Sequence, residues 1–235
     1  MTKRVFITFG TREYHNSLHR IVKQAKDMEY FTDIRGFTDE DLKADPDFWQ
    51  QHGNFIESNR RGYGYWLWKP YLIKKVLSSL NTDDILVYAD AGCELNPRGV
   101  SRLREYEQMV RDSEYGMISF QLEFKEHQYT KRLVIESLQG DRDALQCLGG
   151  IQIIRKTEHS LNIVNMWYAI SSDHKYINDQ WSHNEDPAFV DHRHDQSIYS
   201  VLVNKYGSIK LKDETYFAPN WADGASYPIL AKRLR

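Results

Sequence analysis

Ile85-Leu86-Val87-Tyr88-Ala89-Asp90-Ala91-Gly92-Cys93-Glu94 is the stretch from which the fold can be read. Five apolar residues in succession, cut off by an acid, spell a short strand buried on both faces, as strands of a parallel sheet are. Asp90 then stands at the strand's carboxyl end. In open α/β sheets ligands gather outside those ends, so a carboxylate there faces a cleft rather than bulk water. Glu94 follows four residues on, and two acids on one side suit a hard divalent cation whose shell is completed by substrate phosphates. The plainer reading of Asp90 is a turn cap.

Outward from this strand, β and α patterns alternate. Val5–Phe9 is a second β-rich run, followed by Leu18, Ile21, Val22, Ala25 and Met28 at helical spacing. Thr38-Asp39-Glu40-Asp41 reads as a helix start with a capping acid, and Pro70 opens a helix over Tyr71–Leu80. Asn96-Pro97 predicts the cap and first turn of a helix to about Asp112. Met117–Phe120 and Ile151–Ile154 read as strands, and Thr157–Ile170 as a helix. A last helix starts near Asp195, before a short strand at Ile209–Leu211 and an irregular tail. This alternation predicts a single α/β/α sandwich over 1–235 with a mostly parallel, Rossmann-like central sheet.

The 235 residues are enough for one such domain without disulfide staples. Lys+Arg 31 against Asp+Glu 33 leave a net charge of −2, so no basic excess marks nucleic acid as a partner. No apolar run approaches the ~18 residues of a transmembrane segment. Met1-Thr2-Lys3-Arg4-Val5-Phe6-Ile7 turns polar again too soon for a signal-peptide core. Cys93 and Cys147, far apart and without CxxC spacing, give neither a zinc site nor a disulfide framework. A soluble protein of the reducing cytoplasm is expected. Aromatic residues reach 13%, which serves either a large core or a surface that stacks on sugars or bases.

Three further segments carry chemical residue types. Phe9-Gly10-Thr11 ends the first strand, and a glycine there permits close backbone approach to a ligand or simply makes a turn. Arg60-Arg61-Gly62-Tyr63-Gly64-Tyr65-Trp66-Leu67-Trp68-Lys69-Pro70 combines three cations, two glycines and four aromatics. Cations beside stacking platforms suit a nucleotide diphosphate. A packed aromatic cluster under a loop accounts equally for Tyr65, Trp66 and Trp68, though not for Lys69. His192-Arg193-His194-Asp195-Gln196 crowds two imidazoles, a guanidinium and a carboxylate before a helix start. Helix capping, worth about 1 kcal/mol, explains Asp195 but not the histidines beside it.

Gly62–Pro70, Tyr88–Glu94 and His192–Tyr199, in this order and spacing, together resemble small GT-A-type glycosyltransferases of bacterial and viral glycan gene clusters. Glu126-His127-Gln128-Tyr129-Thr130-Lys131 and Cys147-Leu148-Gly149-Gly150-Ile151-Gln152 resemble that family's middle segments. The resemblance implies a GT-A-like domain that transfers a hexose from a UDP-sugar donor to a glycan or other hydroxyl acceptor. It also implies a divalent metal, Mn2+ or Mg2+, held by an Asp-x-Asp motif.

Asp90 takes the first Asp place, and Gly92 stands where the second belongs. Either Asp90 alone anchors the ion, or Glu94 or a histidine such as His194 supplies the missing ligand, or metal dependence is weakened. Asp90 with help from Glu94 and His194 is the expected set. By the same resemblance Thr8, Phe9 and Gly10 meet the nucleoside, with Arg61 and Lys69 near base, ribose or pyrophosphate. Tyr88, Ala91 and Gly92 flank the donor at the strand tip, and Gly149 and Gly150 approach its sugar. Asp195 contacts the transferred sugar or the acceptor hydroxyl, as general base if the reaction inverts the anomeric centre. The polar stretch between Asp173 and Asp191, with Trp181 and His183, is the expected acceptor side. Two rivals remain: a metal-dependent phosphohydrolase built on His192, His194, Asp195 and Asp90, and a non-catalytic glycan- or nucleotide-binding module.

Overall fold

The computed structural model describes residues 2–235. Its strands are β1 (Arg4–Phe9), β2 (Asp33–Phe37), β3 (Ile85–Ala89), β4 (Glu94–Leu95), β5 (Met117–Lys125), β6 (Leu145–Cys147), β7 (Ile151–Arg155), β8 (Ile209–Lys212) and β9 (Ile229–Leu230). Seven of them form one sheet in the order β2-β1-β3-β7-β5-β6, with β8 also paired to β5. Five strands, β1, β2, β3, β5 and β8, point the same way, while β6 and β7 run against them.

The continuous apolar run of β3 follows from its place at the middle of this sheet. Leu86 and Tyr88 enter one core with the Pro46–Ser58, Trp68–Ser79, Glu158–Ser172 and Asp195–Tyr206 helices. Ile85, Val87 and Ala89 enter the other, against the His15–Asp27 and Val100–Asp112 helices. Successive strand side chains alternate faces, so a strand covered on both sides must be apolar throughout. Each such Leu, Ile or Val contributes about 1.5–3 kcal/mol when removed from water.

Local signals set the helix starts. Thr38 and Asp41 form a capping box, Asn96 accepts the Arg98 N–H at 3.2 Å, and Thr157 accepts the Ser160 N–H at 3.0 Å. The helix expected to open at Pro70 begins earlier, at Trp68, because a proline within the first turn removes an N–H that has no helical acceptor anyway. Met117–Phe120 extends as β5 to Lys125, where β6, not expected from the pattern, continues its pairing.

Two differences bear on the site. The Ile151–Ile154 strand is present as β7 but lies antiparallel to β3, with Ala89 opposite Ile151. The start of β7 therefore meets the end of β3, and the Gly149-Gly150 turn lands beside Asp90. The tail expected to be irregular returns instead to pair β9 with β4, laying Ala231–Arg235 along the loop that follows β3. Among the described residues no helix is long and apolar enough to cross a membrane. Cys93 and Cys147 are both buried free thiols.

Candidate active site

Lys69 lies in the first turn of the Trp68–Ser79 helix, directed there by an unusual piece of backbone. Gly62, Tyr63, Gly64, Tyr65 and Trp66 all have positive φ, making one left-handed turn. Such a conformation costs roughly 1–2 kcal/mol for each residue with a Cβ, and strain of this kind persists at sites where packing over-determines it. The turn is held by the Trp66 N–H donating to Gly62 O at 3.0 Å and by Trp68 Nε1 donating to the same oxygen at 2.9 Å. The Lys69 N–H then donates to Trp66 O at 2.9 Å. A second strained residue, His194 at φ 52° and ψ −117°, immediately precedes Asp195.

These two segments bring Lys69 and Asp195 together under the tip of β3. Lys69 Nζ stands 3.3 Å from Asp90 Oδ1 and 3.1 Å from Asp195 Oδ2. Lys69 and Asp195 are each only 3% exposed, whereas the Asp90 side chain is 39% exposed and opens the set to solvent. Burial works against the Lys69 charge, but the facing Asp195 and Asp90 carboxylates hold it above the ordinary lysine range. Burial pushes the Asp195 carboxyl up to about 6, with Lys69 opposing and Asp90 reinforcing the rise. Tyr88 donates its hydroxyl to Asp90, and burial followed by that acceptor keeps it protonated far above its usual value. Asp90 is thus no simple turn cap: its backbone closes the turn to the Cys93 N–H at 2.8 Å, while its carboxylate faces Lys69 and Tyr88.

The wall opposite is backbone. The Asp90 N–H donates to Gly150 O at 2.9 Å, and a Cβ on Gly150 would stand 2.7 Å from Asp90 Oδ2. Gly149 gives its N–H to Gln196 Oε1 at 3.0 Å, and a Cβ there would reach to 2.8 Å of the Gln196 Cβ. Gln196 Nε2 and Arg193 Nη1 both donate to Gln146 Oε1, at 2.9 and 3.1 Å. Trp167 Nε1 fixes the Asp195 carbonyl at 2.8 Å. Gln146 and Trp167 left no mark in the residue pattern, since a lone glutamine in a short strand and an aromatic in a helix carry no pattern of their own.

Other expected residues lie elsewhere or act differently. Phe9 is buried and stacked on Trp68 with ring centroids 3.9 Å apart, so its side chain belongs to the core. Thr8 is buried with its hydroxyl unpartnered, and Gly10 gives its N–H to Phe37 O at 3.0 Å. Arg61 is paired with Asp179 at 3.0 Å and Asp191 at 2.8 Å, so it pins the 173–191 stretch instead of standing free for a phosphate. The Ala91 and Cys93 carbonyls accept from Arg20 at 2.7 and 2.8 Å, which clamps the loop after β3. Gly92 lies against the backbone of Arg233.

The two histidines differ: His192 is held by the fold, whereas neither ring nitrogen of His194 has a hydrogen-bond partner among the described residues. His192 is buried, with Nε2 2.9 Å from Tyr176 O and Nδ1 accepting the Lys131 N–H at 3.3 Å, so both ring nitrogens are satisfied structurally. His194 is buried beneath Tyr65 and Trp66, its Nε2 3.3 Å from Asp179 Oδ1, and burial with the nearby Arg61 charge drives it down to about 3.

The expected metal set does not assemble from these residues. Between Asp90 and Asp195 lies the Lys69 ammonium. Gly92 offers no carboxylate, and both Glu94 oxygens accept from Lys232 Nζ at 3.1 Å. His194 faces Asp179 rather than Asp90. Among the described residues no group of three His, Cys, Asp or Glu side chains could hold a metal ion. The reason is visible in the sequence only afterwards: Lys69 and Lys232 are the partners of Asp90 and Glu94, and neither is near them in the chain.

The sandwich and its sheet order are similar to the GT-A fold of solved glycosyltransferases. The galactosyltransferase LgtC, solved in complex with donor and acceptor sugar analogs, superposes with a TM-score of 0.55 and 11% identity, over 96% of this chain and 86% of that one. A glycosyltransferase involved in the glycosylation of the major capsid of PBCV-1 gives 0.52 and 10%, over 97% and 92% of the two chains. No protein-family model and no curated protein sequence matches the chain.

Proposed function

We propose that this chain is a glycosyltransferase that moves a hexose from a nucleoside-diphosphate sugar, foremost a UDP-sugar, to a glycan hydroxyl. One observation carries the reading: in a GT-A fold, Asp90 and Asp195 flank Lys69 at the tip of the central strand, under a wall of glycine backbone. Breaking the anomeric C–O bond builds negative charge on the departing diphosphate and positive charge on the sugar ring. A preorganised arrangement of fixed charges at this place lowers the barrier without reorganising at the moment of reaction. The Gly149-Gly150 backbone packs close against Asp90 and Gln196, where no side chain fits.

Asp195 is the group we assign to the acceptor hydroxyl. With its carboxyl raised to about 6, it is ionised at neutral pH yet basic enough to take a proton, the condition for a general base in an inverting transfer. The acceptor side is supported by a groove of about 430 Å3 lined by Leu133, Glu136, Gln180, Trp181 and Glu185. Trp181 is exposed there, and an aromatic face with amide and carboxylate neighbours suits a sugar ring. The phosphohydrolase alternative has less support, because both ring nitrogens of His192 are engaged by Tyr176 O and the Lys131 N–H.

The test is thermal stability with a panel of nucleotides, followed by UDP release from UDP-sugars in the presence of glycan acceptors. Stabilisation by a nucleoside diphosphate, weakened in Asp90→Ala, and acceptor-dependent UDP release are expected. No stabilisation and no release with any nucleotide would overturn the reading.

A further inference from the structure

Glu126 is a buried carboxylate outside the Lys69 cluster, and the transfer chemistry gives it no direct task. It follows the end of β5, where its N–H donates to Ala144 O at 2.9 Å, and it is 0% exposed. Its partners are neutral donors. The Thr130 hydroxyl donates to Oε2 at 2.6 Å, while the Ser200 hydroxyl and Asn204 Nδ2 donate to Oε1, the latter at 3.0 Å. Burial pushes the Glu126 carboxyl up, and the hydrogen bonds from Ser200, Thr130 and Asn204 oppose that rise. A buried carboxylate held by neutral donors is costly, so its presence calls for a physical reason.

The reason lies in the direction it imposes on the hydrogen bonds around it. A carboxylate only accepts, so Thr130 commits its one proton to Glu126 and has only lone pairs for its next neighbour. That neighbour is Gln146 Nε2, which donates to Thr130 Oγ1 at 3.2 Å and, more weakly, to Tyr129 O at 3.3 Å. Tyr129 O already accepts from Ser197 Oγ at 2.7 Å and from the Arg193 N–H at 3.0 Å. With its nitrogen engaged, Gln146 turns Oε1 to Gln196 Nε2 and Arg193 Nη1, and Gln196 is left with its own oxygen for the Gly149 N–H. The bonds therefore run one way, from Gly149 through Gln196, Gln146 and Thr130 to Glu126. A second arm ends on the same carboxylate, from the Cys147 N–H to Ser200 Oγ at 2.7 Å and on to Oε1. The two ends of an amide have nearly the same shape, so packing alone does not choose between the two settings of Gln146; the donors and acceptors around it do.

We propose that Glu126 is a positioning residue: through Thr130 and Gln146 its negative charge sets the direction of the chain that holds Gln196 on the Gly149 N–H, and so holds the Gly149-Gly150 wall against Asp90. The effect on transfer rests on the glycosyltransferase reading above, whereas the effect on Gly149 does not. The geometry also shows why an amide of the same shape cannot replace the acid. Asn204 Nδ2 can only donate, so in E126Q the new amide nitrogen must face Thr130. Thr130 then accepts there and turns its proton on Gln146, whose nitrogen already donates. If Gln146 turns over to accept that proton, two amide nitrogens face each other at Gln196, and the Gly149 N–H loses its fixed acceptor.

The experiment is amide hydrogen exchange at Gly149 and Ile153, read by NMR, together with thermal melting and steady-state transfer kinetics, in the native chain and in E126Q, T130V and N204A. Ile153 lies within β7 and reports opening of the sheet as a whole. T130V keeps the shape of the threonine without its hydroxyl, and it decides the matter if E126Q does not fold. In E126Q and T130V, Gly149 should exchange about tenfold or more faster relative to Ile153, and kcat should fall by a similar factor while the donor KM changes by no more than about twofold. N204A takes a donor from the other oxygen of Glu126, so it should lower the melting temperature without moving the exchange ratio or kcat. A native exchange ratio in a folded E126Q or in T130V, the same change in N204A, or faster exchange with native kcat would overturn the proposal and leave the transferase reading intact. Faster Gly149 exchange in the variants of a chain that turns over no nucleoside-diphosphate sugar would uphold the hydrogen-bond chain and overturn the transferase reading alone.

Discussion

Lys69 Nζ and Asp195 Oδ2 stand 3.1 Å apart in an almost fully buried pair, although 126 positions separate them in the chain (195 − 69). The left-handed Gly62–Trp66 turn presents one partner, and the strained His194 the other. Two costly backbone segments converging on one ion pair are the signature of a site, since strain persists where the surroundings over-determine it.

Removing the cation should be the most damaging single change. Lys69→Met leaves Asp195 buried and facing Asp90 without compensation, and breaking one partner of such a pair costs roughly 3–5 kcal/mol. Urea denaturation should show that loss, and Lys69→Met/Asp195→Leu should recover part of it, because the double variant leaves one buried charge fewer. A Lys69→Met loss below about 1 kcal/mol would contradict a desolvated pair.

Activity should rise with pH through the Asp195 ionisation. With the folded carboxyl at about 6, kcat/KM for transfer is expected to climb through that value, and Asp195→Asn should abolish the limb. The stability contribution has the opposite sign. The folded state holds this proton more tightly than the unfolded chain at 3.8, so stability falls as pH rises from about 4 to about 6. In Asp195→Asn that particular loss should vanish from denaturation curves taken across the interval.

Gly150→Ala separates site from fold. The new methyl would stand 2.7 Å from Asp90 Oδ2 and displace the carboxylate or fill the space for the sugar. Transfer should drop by tenfold or more, given the sensitivity of catalysis to ångström-scale misplacement, while the melting temperature moves only a few degrees. A variant with native turnover would show that nothing needs to pass between Gly150 and Asp90.

Acid should destabilise the fold through its buried histidines. His194 is held down to about 3 and His52 to about 4, burial being the main cause in both. Each folded pKa lies below the unfolded 6.5, so their stabilisation is present above that value and is lost as pH falls toward the folded ones. Between pH 7.5 and 5.5 this removes about 1 kcal/mol per histidine, partly offset by Asp195 gaining its proton. Guanidinium midpoints at the two pH values should fall accordingly, and an unchanged midpoint would show that these rings take up protons without unfolding.

Much of this was legible from residue pattern. The run Ile85–Ala89 ending at Asp90 described a doubly covered strand and a carboxylate at its tip, because burial on two faces leaves its mark on every residue. The Thr38 and Asn96 caps were readable because they act within one turn. The antiparallel course of β7 was not, since Ile-Gln-Ile-Ile has the same periodicity whichever way it points. Arg61 and Glu94 looked free because their partners, Asp179, Asp191 and Lys232, lie far along the chain. His192 looked chemical for the same reason: Tyr176 O and the Lys131 N–H, which satisfy it, come from two other segments.

Residue order alone sets the alternation of strands and helices, the placing of Asp90 at a strand end and Asp195 at a helix start, and the glycine at position 92. These are matters of hydrophobic period, capping and residue identity, all local. Which charges meet depends on the packing: Lys69 between two carboxylates, Glu94 with Lys232, and the Arg233 backbone beside Gly92. Pairing depends on how layers pack across the sheet, and electrostatic energy falls steeply with distance and burial, so the same residues define a different site until the fold sets both.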